Sequence, residues 1–373
     1  MKKVLFLIHD LGAGGAERVL VNLVNYMDKS KYDITVMSLF DIGVNRQYLG
    51  EAIHYKYCFK KVFRGNSHIM KVFSPERLHR RFIHDHYDIE IAYLEGPCAR
   101  IISGCKDANT KLVAWIHTEL QTIKSASGGF RNVSEARQRY NRFDKVVAVS
   151  ETVRAAFLKT IHSIGLTEVL YNTNDTHYIR EQAKSMPDDS QFAIKNNEDL
   201  RVCAVGKLTK NKGFDRLLSA HKRLMDEGVI HKVYVLGAGE EQKKLEAKIK
   251  EYNVEQSFVL LGLKTDPYCY MSRCDVFVCS SHREGFSTAT TEALILGTAV
   301  VSTNCSGAKE MLGDNNEYGI VVENSEEGIY IGLKRMLSDA KLLAHYKAMS
   351  KERGENFSGE KTTKAVEDML EAL

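Results

Sequence analysis

The stretch DVFVCSSHREGFSTATTE, residues 275–292, decides the fold more than any other part of the chain. It begins with an apolar run typical of a buried strand, passes through a polar loop and continues into a helix. In sheets of parallel strands, ligands bind beyond the carboxyl ends of the strands. We therefore expect functional residues in the loop of this stretch.

The same pattern of strand, loop and helix recurs on both sides of this stretch, in two series. In the first half we predict a helix at 16–27 and strands at 4–8, 34–39, 89–94, 111–116 and 146–149. In the second half we predict strands at 202–205, 233–236, 258–260, 276–279, 300–303 and 320–322. The pattern predicts an α/β protein with two Rossmann-like, doubly wound domains.

The length of the chain supports this division. At 373 residues it exceeds what one hydrophobic core usually supports, and between 172 and 200 the sequence turns polar and loses its periodicity. We predict an N-terminal domain at 1–175, an interdomain connection at 176–199 and a C-terminal domain at 200–345. The C-terminal helices, at 346–373, are predicted to pack back toward the N-terminal domain.

The composition is that of a soluble globular protein, with 44% hydrophobic and 27% charged residues. The eight cysteines include no C-x-x-C pair, which indicates reduced thiols in a cytoplasmic protein. No apolar run approaches the ~20 residues that span a bilayer, so any membrane contact must be peripheral. A net charge of +4 is too small to indicate nucleic acid binding.

Two carboxylates flank the loop of the opening stretch. Glu284 lies in the loop and Glu292 in the helix that follows, while Ser287 and Thr288 offer hydroxyls and the amides of a helix start. A carboxylate near a sugar ring, amides for a phosphate and a second carboxylate for a ribose diol would fit this layout. The helix dipole alone also favours carboxylates near helix starts, so a purely structural interpretation stays open.

A second loop, after the strand at 202–205, carries two lysines. Gly206 and Lys207 follow the strand, and Lys212 with Gly213 precedes the next helix. Two cations on a strand-to-helix loop can meet a diphosphate. A solvated surface loop would have the same composition.

The first half offers a glycine loop and a histidine. The loop from Gly12 to Glu17, GAGGAE, fails the dinucleotide fingerprint because its third glycine would fall at Glu17. Gly14 and Gly15 still let a phosphate or acceptor approach the backbone. His117 ends the predicted strand at 111–116, a position that fits either a structural or a functional role.

In order and spacing, these elements resemble the GT-B retaining glycosyltransferases of the fourth sequence family, also called group 1, of the type that assembles bacterial polysaccharides and glycans. Coverage runs from residue 1 to about 340. The matching residues are Gly14-Gly15-Ala16-Glu17, His117, Val149-Ser150, Asn172, Asp175, Gly206-Lys207, Lys212-Gly213, Gly237, Gly239, Glu284-Gly285-Phe286, Glu292, Gly307 and Glu310.

The resemblance implies a role for each candidate residue and a cleft between two domains that face each other. Glu284 would contact the donor sugar and act in catalysis with His117, Glu292 would bind the ribose, and Gly14 with Gly15 would form an acceptor or phosphate loop. The remaining donor-binding residues would be Gly206, Lys207, Lys212, Gly237, Gly285, Phe286, Ser287 and Thr288. The chain departs from the family at Lys207, where arginine is usual, and at Ser306, where a second glycine is common.

The resemblance also implies a reaction. A hexose or N-acetylhexosamine would pass from a nucleoside-diphosphate sugar to a hydroxyl of a lipid-linked or growing glycan, with retention of configuration. UDP is the expected nucleotide because it is the commoner one in the family. The chain lacks an Asp-x-Asp pair, so we expect neither a metal nor another cofactor. A sugar-nucleotide epimerase of the same fold, or a nucleotide-sugar-binding protein without activity, remains an alternative.

A basic stretch at 54–83 predicts contact with an anionic membrane, at the cytoplasmic face of the cell envelope. It contains eight Lys or Arg residues against the single Glu76, and Ser74 and Pro75 resemble a helix start. In that helix Leu78 and Phe82 would share an apolar face, next to the cations predicted to face the membrane, which are Arg77, Arg80 and Arg81.

Overall fold

The computed structural model describes residues 1–12, 14–162, 166–190, 192 and 200–373, and all side chains within them except those of Ser67 and Ile69. The chain forms two compact units. The first comprises Met1–Asn174 together with Gly359–Leu373, and the second comprises Asp175–Ser358.

The first unit is a seven-stranded parallel sheet flanked by helices. Its strands are β1 (Lys2–Ile8), β2 (Tyr32–Phe40), β3 (His54–Phe59), β4 (Ile89–Ala92), β5 (Lys111–Ile116), β6 (Lys145–Ala148) and β7 (Leu166–Val169). Its helices, before the chain leaves the unit, are α1 (Gly15–Tyr26), α2 (Asn66–Val72), α3 (Pro75–Phe82), α4 (Pro97–Ile102), α5 (Ile123–Ala126), α6 (Val133–Tyr140) and α7 (Glu151–Ile161).

The second unit is a six-stranded parallel sheet of the same kind. Its strands are β8 (Leu200–Val205), β9 (His231–Leu236), β10 (Phe258–Gly262), β11 (Val276–Cys279), β12 (Ala299–Thr303) and β13 (Ile320–Val322). Its helices are α8 (Thr176–Lys184), α9 (Phe214–Asp226), α10 (Gln242–Glu251), α11 (Tyr268–Met271), α12 (Thr288–Leu296), α13 (Ala308–Leu312), α14 (Glu326–Ser338) and α15 (Ala340–Gly354). The last helix, α16 (Gly359–Glu371), belongs to the first unit and packs on α1.

The strand orders place a switch point in each sheet. The first sheet runs β3-β2-β1-β4-β5-β6-β7 and the second runs β10-β9-β8-β11-β12-β13. The order therefore reverses between β1 and β4, and again between β8 and β11. Ligands of doubly wound sheets bind beyond the carboxyl ends of strands at such points. The predicted α/β class with two Rossmann-like domains is confirmed.

Burial explains why the central strands read as apolar runs. Residues 4–8 of β1 are fully buried, because helices cover both faces of a parallel sheet. Along α9 the buried residues recur at helical spacing, at Phe214, Leu217, Leu218 and Leu224, so one face of that helix packs on the second sheet.

The sequence pattern did not predict β3 and β7, the two outer strands of the first sheet. Each carries charged or polar residues and exposed or half-buried side chains, as edge strands do. An apolar run is therefore missing from both. The predicted connection at 176–199 begins with α8, and its residues 191 and 193–199 lie outside the described residues. Among the described helices, none is long and apolar enough to cross a membrane.

Helix α3 begins as predicted but packs differently. Ser74 caps it by accepting a hydrogen bond from the Arg77 backbone, and Pro75 occupies its first turn. The predicted exposed apolar face is wrong, because Leu78 is buried and Phe82 packs edge to face on Phe59. The apolar side of α3 thus belongs to the core of the unit. Arg77, Arg80 and Arg81 are exposed, and their contact with a membrane stays a prediction.

Candidate active site

In the second unit, a partly buried salt bridge joins the loops after β8 and β11. Lys212 lies in a short 3-10 turn after β8, and Glu284 lies in the loop after β11. The Lys212 Nζ atom is 2.6 Å from Glu284 Oε1, and the two side chains are 27% and 12% exposed. Because β8 and β11 are neighbours at the switch point, topology brings together two residues that are 72 positions apart. This contact lies where the fold is expected to bind a ligand.

Hydrogen bonds tie these two loops together. Ser280 Oγ donates to the Lys212 carbonyl oxygen at 2.8 Å, and Asn211 Nδ2 donates to the Arg283 carbonyl oxygen at 2.8 Å. The His282 amide in turn donates to the Asn211 carbonyl oxygen at 2.7 Å. The Lys212–Glu284 pair is therefore held by backbone contacts as well as by its own charges.

Two glycines allow close backbone contacts around this pair, Gly213 between the loops after β8 and β11 and Gly237 between the ends of β9 and β8. Gly213 has a φ of +62°, and a Cβ atom there would lie 2.2 Å from the Ser280 carbonyl oxygen. Gly237, at the carboxyl end of β9, has a φ of +157°, and its Cβ would lie 1.9 Å from the Gly206 carbonyl oxygen. A side chain at either position would force the loops apart. The predicted donor residues Gly206 and Gly237 are thus in mutual backbone contact.

The Lys212 ammonium remains a cation despite its surroundings. Burial opposes its charged form, but the nearby Glu284 carboxylate outweighs that effect, so the pKa of Lys212 is raised above its ordinary value. Lys207, the second predicted diphosphate cation, has an exposed side chain and is far less desolvated. A fixed, partly buried cation beside a carboxylate can balance charge that develops on a bound diphosphate.

Helix α12 starts beside this pair. Ser287 is its N-cap, and the Ser287 hydroxyl accepts hydrogen bonds from the Thr290 amide at 3.3 Å and from Thr290 Oγ1 at 3.0 Å. Thr288 is the first helical residue and is half-buried, as is Gly285. Phe286 is buried and packs edge to face on Phe357, with ring centroids 5.7 Å apart. The packing of Phe286 anchors the loop that carries Glu284.

Glu292 has a different environment from Glu284. It lies in the second turn of α12, half-buried, and its Oε1 atom accepts a hydrogen bond from the Tyr268 hydroxyl at 3.2 Å. Ser281, for which the sequence analysis predicted no role, donates a hydrogen bond from its hydroxyl group to the Glu284 carboxylate. The two predicted carboxylates thus belong to one strand-loop-helix unit but have separate partners.

In the first unit, His117 follows β5 at its carboxyl end. It is buried, its amide donates to Glu95 Oε2 at 3.0 Å, and its ring packs on that of Tyr93 with centroids 4.8 Å apart. Its Nε2 atom has no hydrogen-bond partner within the described part of the chain. Burial lowers the pKa of His117 to about 3, so the ring is neutral at physiological pH. A neutral imidazole with an unused nitrogen can bind a hydroxyl group but supplies no charge.

Glu95 is a residue that the sequence did not single out. It lies beyond the carboxyl end of β4, next to the switch point, and accepts hydrogen bonds from the His117 amide and the Thr118 hydroxyl. Burial raises the pKa of this carboxyl above its ordinary value. An acidic residue directly after the predicted strand at 89–94 was the available signal.

The glycine loop after β1 is partly occupied by a neighbouring side chain. The Gly12 amide donates to Asp10 Oδ1 at 2.7 Å, and Asp10 also pairs with His9 at 2.7 Å. Gly14 is the N-cap residue of α1 and, like Gly15, is exposed. Ala13, between Gly12 and Gly14, lies outside the described residues. Gly14 and Gly15 lie at the start of a twelve-residue helix, whose amino terminus favours a nearby anion, and the Glu17 carboxylate lies beside Gly14.

Comparison with known proteins covers both units. The family model described as Glycosyltransferase Family 4 matches residues 13–178, and the model described as Glycosyl transferases group 1 matches residues 185–353. A similar curated protein is the N-acetylgalactosamine-N,N'-diacetylbacillosaminyl-diphospho-undecaprenol 4-alpha-N-acetylgalactosaminyltransferase of Campylobacter jejuni, 27% identical with 100% of each chain covered. Another is the amylovoran biosynthesis glycosyltransferase AmsD of Erwinia amylovora, 25% identical over 99% of this chain and 100% of the relative.

Among solved structures, the fold is similar to that of HepE from Anabaena, in complex with UDP and glucose. The TM-score is 0.77 at 20% identity, and the match covers 100% of both chains. The resemblance inferred from the glycine, lysine and glutamate motifs is thereby confirmed. The chain belongs to the group 1 glycosyltransferases, adopts their GT-B fold and is a glycosyltransferase.

Proposed function

We propose that this enzyme moves a hexose or N-acetylhexosamine from UDP to a hydroxyl group of a lipid-linked or growing glycan, with retention of anomeric configuration and without a metal ion. The observation that carries the proposal is the contact between Lys212 and Glu284 at the switch point of the second sheet. It supplies a cation for the diphosphate and a carboxylate for the sugar within one pair of loops.

The donor is bound by the loops after β8 and β11. Departure of the nucleotide breaks the bond between the anomeric carbon and the phosphate oxygen, leaving negative charge on the diphosphate and positive charge on the sugar. Lys212 stabilises the first, assisted by Lys207 and the amides that start α12, and Glu284 stabilises the second. Glu292 binds the ribose. UDP is favoured because the Anabaena protein was solved with UDP, with UDP-glucose and with UDP and glucose.

Retention follows if the acceptor attacks from the face that the nucleotide leaves. The acceptor oxygen then forms its bond to the anomeric carbon on that face, and its proton passes to the departing phosphate. His117, neutral and buried, positions a sugar hydroxyl through its free nitrogen. Fixed cations replace the divalent ion that other transferases hold against the diphosphate, so neither a metal nor another cofactor takes part in transfer.

A lipid-linked acceptor is favoured by the relatives. The Campylobacter jejuni protein is named for a diphospho-undecaprenol acceptor, and AmsD for amylovoran biosynthesis. We further propose that the reaction takes place at the cytoplasmic face of the membrane, where the exposed Arg77, Arg80 and Arg81 contact anionic headgroups. Binding there is electrostatic, because the apolar residues of α3 face inward.

A donor panel tests the chemistry. Purified enzyme is supplied with UDP- and GDP-sugars and a polyprenyl-diphosphate-linked sugar, in buffer with and without chelator, and the anomeric configuration of the product is read by NMR. We expect product from one UDP-sugar only, with retained configuration and full activity in chelator. Inversion refutes retention, preference for GDP refutes the donor assignment, and activity that is lost in chelator and restored by Mg²⁺ or Mn²⁺ refutes metal independence.

Sedimentation with vesicles tests the location. We expect the protein to bind vesicles containing anionic lipid at low salt and to be released at high salt, because a Debye length shrinks from ~30 Å at 0.01 M to ~3 Å at 1 M. Replacing Arg77, Arg80 and Arg81 by glutamate should abolish binding. Replacing Lys243, Lys248 and Lys250 of α10 by glutamate is the control of equal charge change. If the first triple variant binds as the wild type does, the arginines are not the contact.

A further inference from the structure

A cavity of about 770 Å³ opens on the first unit, away from the candidate active-site residues, and Arg77 and Arg80 of α3 are among the residues that line it. It is lined by α3, by the segment before β4 and by the segment before β5. It therefore lies at the amino-terminal ends of these strands, whereas Glu95 and His117 follow their carboxyl ends. The family motifs leave the residues of this cavity without a role.

Three side chains of different chemistry meet at the cavity. They are His79 of α3, Glu90 of β4 and Cys105, which follows α4. Their ligand atoms lie within 4.8 Å of one another, and His79 Nε2 is 2.7 Å from Glu90 Oε2. Among the residues that the structure describes, this is the one such cluster of histidine, cysteine or acidic residues. The Glu90 and His79 side chains are 3% and 14% exposed, and Cys105 is buried.

The scaffold fixes all three positions. Glu90 is paired in register with Leu5 of β1 and Leu112 of β5, in the middle of the sheet. The Cys105 carbonyl oxygen accepts a hydrogen bond from Arg142 Nη2 at 2.8 Å. Beside it, Gly104 packs so closely on α3 that a Cβ atom would lie 2.1 Å from the Pro75 carbonyl oxygen. The ligand atoms are thus presented by rigid elements, as a preorganised site requires.

We propose that His79, Glu90 and Cys105 bind one Zn²⁺ ion, with a water molecule from the cavity as the fourth ligand. Imidazole nitrogen, thiolate sulfur and carboxylate oxygen are the ligands that zinc takes in proteins, in tetrahedral sets at about 2.0 to 2.3 Å. The ion displaces the thiol proton of Cys105 and the proton between His79 and Glu90, and both protons pass to the buffer. His79 Nε2 and Glu90 Oε2, which are 2.7 Å apart, then separate by roughly 0.6 Å to become two ligands of one tetrahedral ion.

The cluster is more than an ion pair. His79 hydrogen-bonds both to Glu90 and to the Cys105 thiol, so all three groups converge on one point, and coordination of one ion uses all three. A carboxylate in the interior of a sheet is costly to bury, and it is retained where it is paired or coordinates a metal. Because the cavity is open to water, the ion can enter after folding and can bind an exogenous ligand. The role is to brace α3 and α4 against the sheet, not to take part in transfer.

Metal binding by the full chain, produced without a histidine tag and stripped with chelator, tests the site. We expect one equivalent of Zn²⁺ in calorimetry, with proton release revealed by buffers of different ionisation enthalpy. Co²⁺, used as a spectroscopic substitute, should give tetrahedral bands and a thiolate-to-cobalt charge-transfer band. Cys105→Ser should remove that band and weaken zinc binding at least about tenfold. Cys58→Ser, a thiol of the same unit outside the cluster, should behave as the wild type.

Two outcomes overturn the proposal. One is the absence of stoichiometric zinc binding, and the other is zinc binding with no thiolate band in the wild-type cobalt spectrum. The spectrum requires no variant, so it decides even where Cys105→Ser fails to fold. Glu90→Gln gives a second measurement, since an amide removes the negative charge and keeps the shape. None of these readouts depends on transferase activity, so the site and the proposed function stand or fall separately.

Discussion

In the second unit, a carboxylate meets a cation beyond β8 and β11, whereas in the first unit a carboxylate holds the backbone of a neutral histidine beyond β4 and β5. Glu284 is paired with Lys212, and Glu95 accepts from His117 and Thr118. Both clusters lie beyond the carboxyl ends of two neighbouring parallel strands, the charged one at the switch point of its sheet and the neutral one at the next pair of strands. Topology therefore selects where a site can form, at the carboxyl ends of strands, while local burial decides whether its groups carry charge.

We expect the greatest loss of activity from a substitution that disrupts the charged cluster of Lys212 and Glu284. Glu284→Gln should lower kcat about 10²- to 10³-fold, because it removes the carboxylate that stabilises the sugar in the transition state and leaves Lys212 unpaired. The fold should survive, since Ser280 and Asn211 still tie the two loops. Steady-state kinetics and circular dichroism measure the two effects.

The exposed Glu255→Gln is the control for Glu284→Gln, as the same change of charge outside the loops. Turnover of Glu284→Gln equal to that of the control would remove Glu284 from the site.

The next effect concerns the cation of the pair. Lys212→Ala should weaken UDP binding about 10- to 100-fold, since a charge-assisted hydrogen bond contributes about 1.5 to 3 kcal/mol. Lys210→Ala, on the same turn but exposed, should bind UDP nearly as the wild type does. Calorimetry with UDP measures both. Equal affinities for the two variants would show that Lys212 serves Glu284 and not the diphosphate.

A smaller effect is expected from the neutral cluster. His117→Ala should lower kcat/KM about 2- to 10-fold, because it removes one uncharged hydrogen bond worth about 0.5 to 1.5 kcal/mol. His117→Gln, which keeps a neutral polar group, should recover part of the loss. The control is His345→Ala, an exposed histidine of α15. A loss of the size predicted for Glu284→Gln would mean that His117 carries charge or moves a proton in the reaction.

The sequence was sufficient for the sheets and insufficient for the contacts. Apolar runs marked the central strands correctly because these strands are buried on both faces, as in residues 4–8. The edge strands β3 and β7 escaped because their side chains are polar or exposed. The 2.6 Å contact between Lys212 and Glu284 could not be read from a single sequence, since it depends on which strands are neighbours.

The amphipathic pattern of α3 led to a wrong prediction because two different arrangements explain it. Leu78 and Phe82 share a face of α3, and the same spacing fits a helix that lies on a membrane or one that packs on a sheet. The neighbouring cations suggested the membrane, but Leu78 is buried within the unit and Phe82 packs on Phe59 of β3. The cluster of His79, Glu90 and Cys105 was invisible for the reason that hid Lys212 and Glu284, because its members are on separate elements.

The last prediction is that the contribution of His117 to kcat/KM does not change with pH, and it tests directly whether the cluster of the first unit is neutral. Burial lowers the pKa of His117 to about 3, so its ring stays neutral from pH 5 upward in the folded protein. The ratio of kcat/KM between wild type and His117→Gln should therefore be the same at pH 6 and pH 9.

The free energy of unfolding, in contrast, should depend on pH through His117. The unfolded chain binds a proton at this residue near the ordinary pKa of ~6.5, and the native ring does not. The free energy of unfolding should thus fall as the pH drops from about 6.5 toward 3, and it should fall less in His117→Gln, as chemical denaturation at several pH values would measure. A kinetic ratio that changes with a midpoint near 6.5 would show that His117 titrates in the native enzyme, and the first unit would then use charge as the second does.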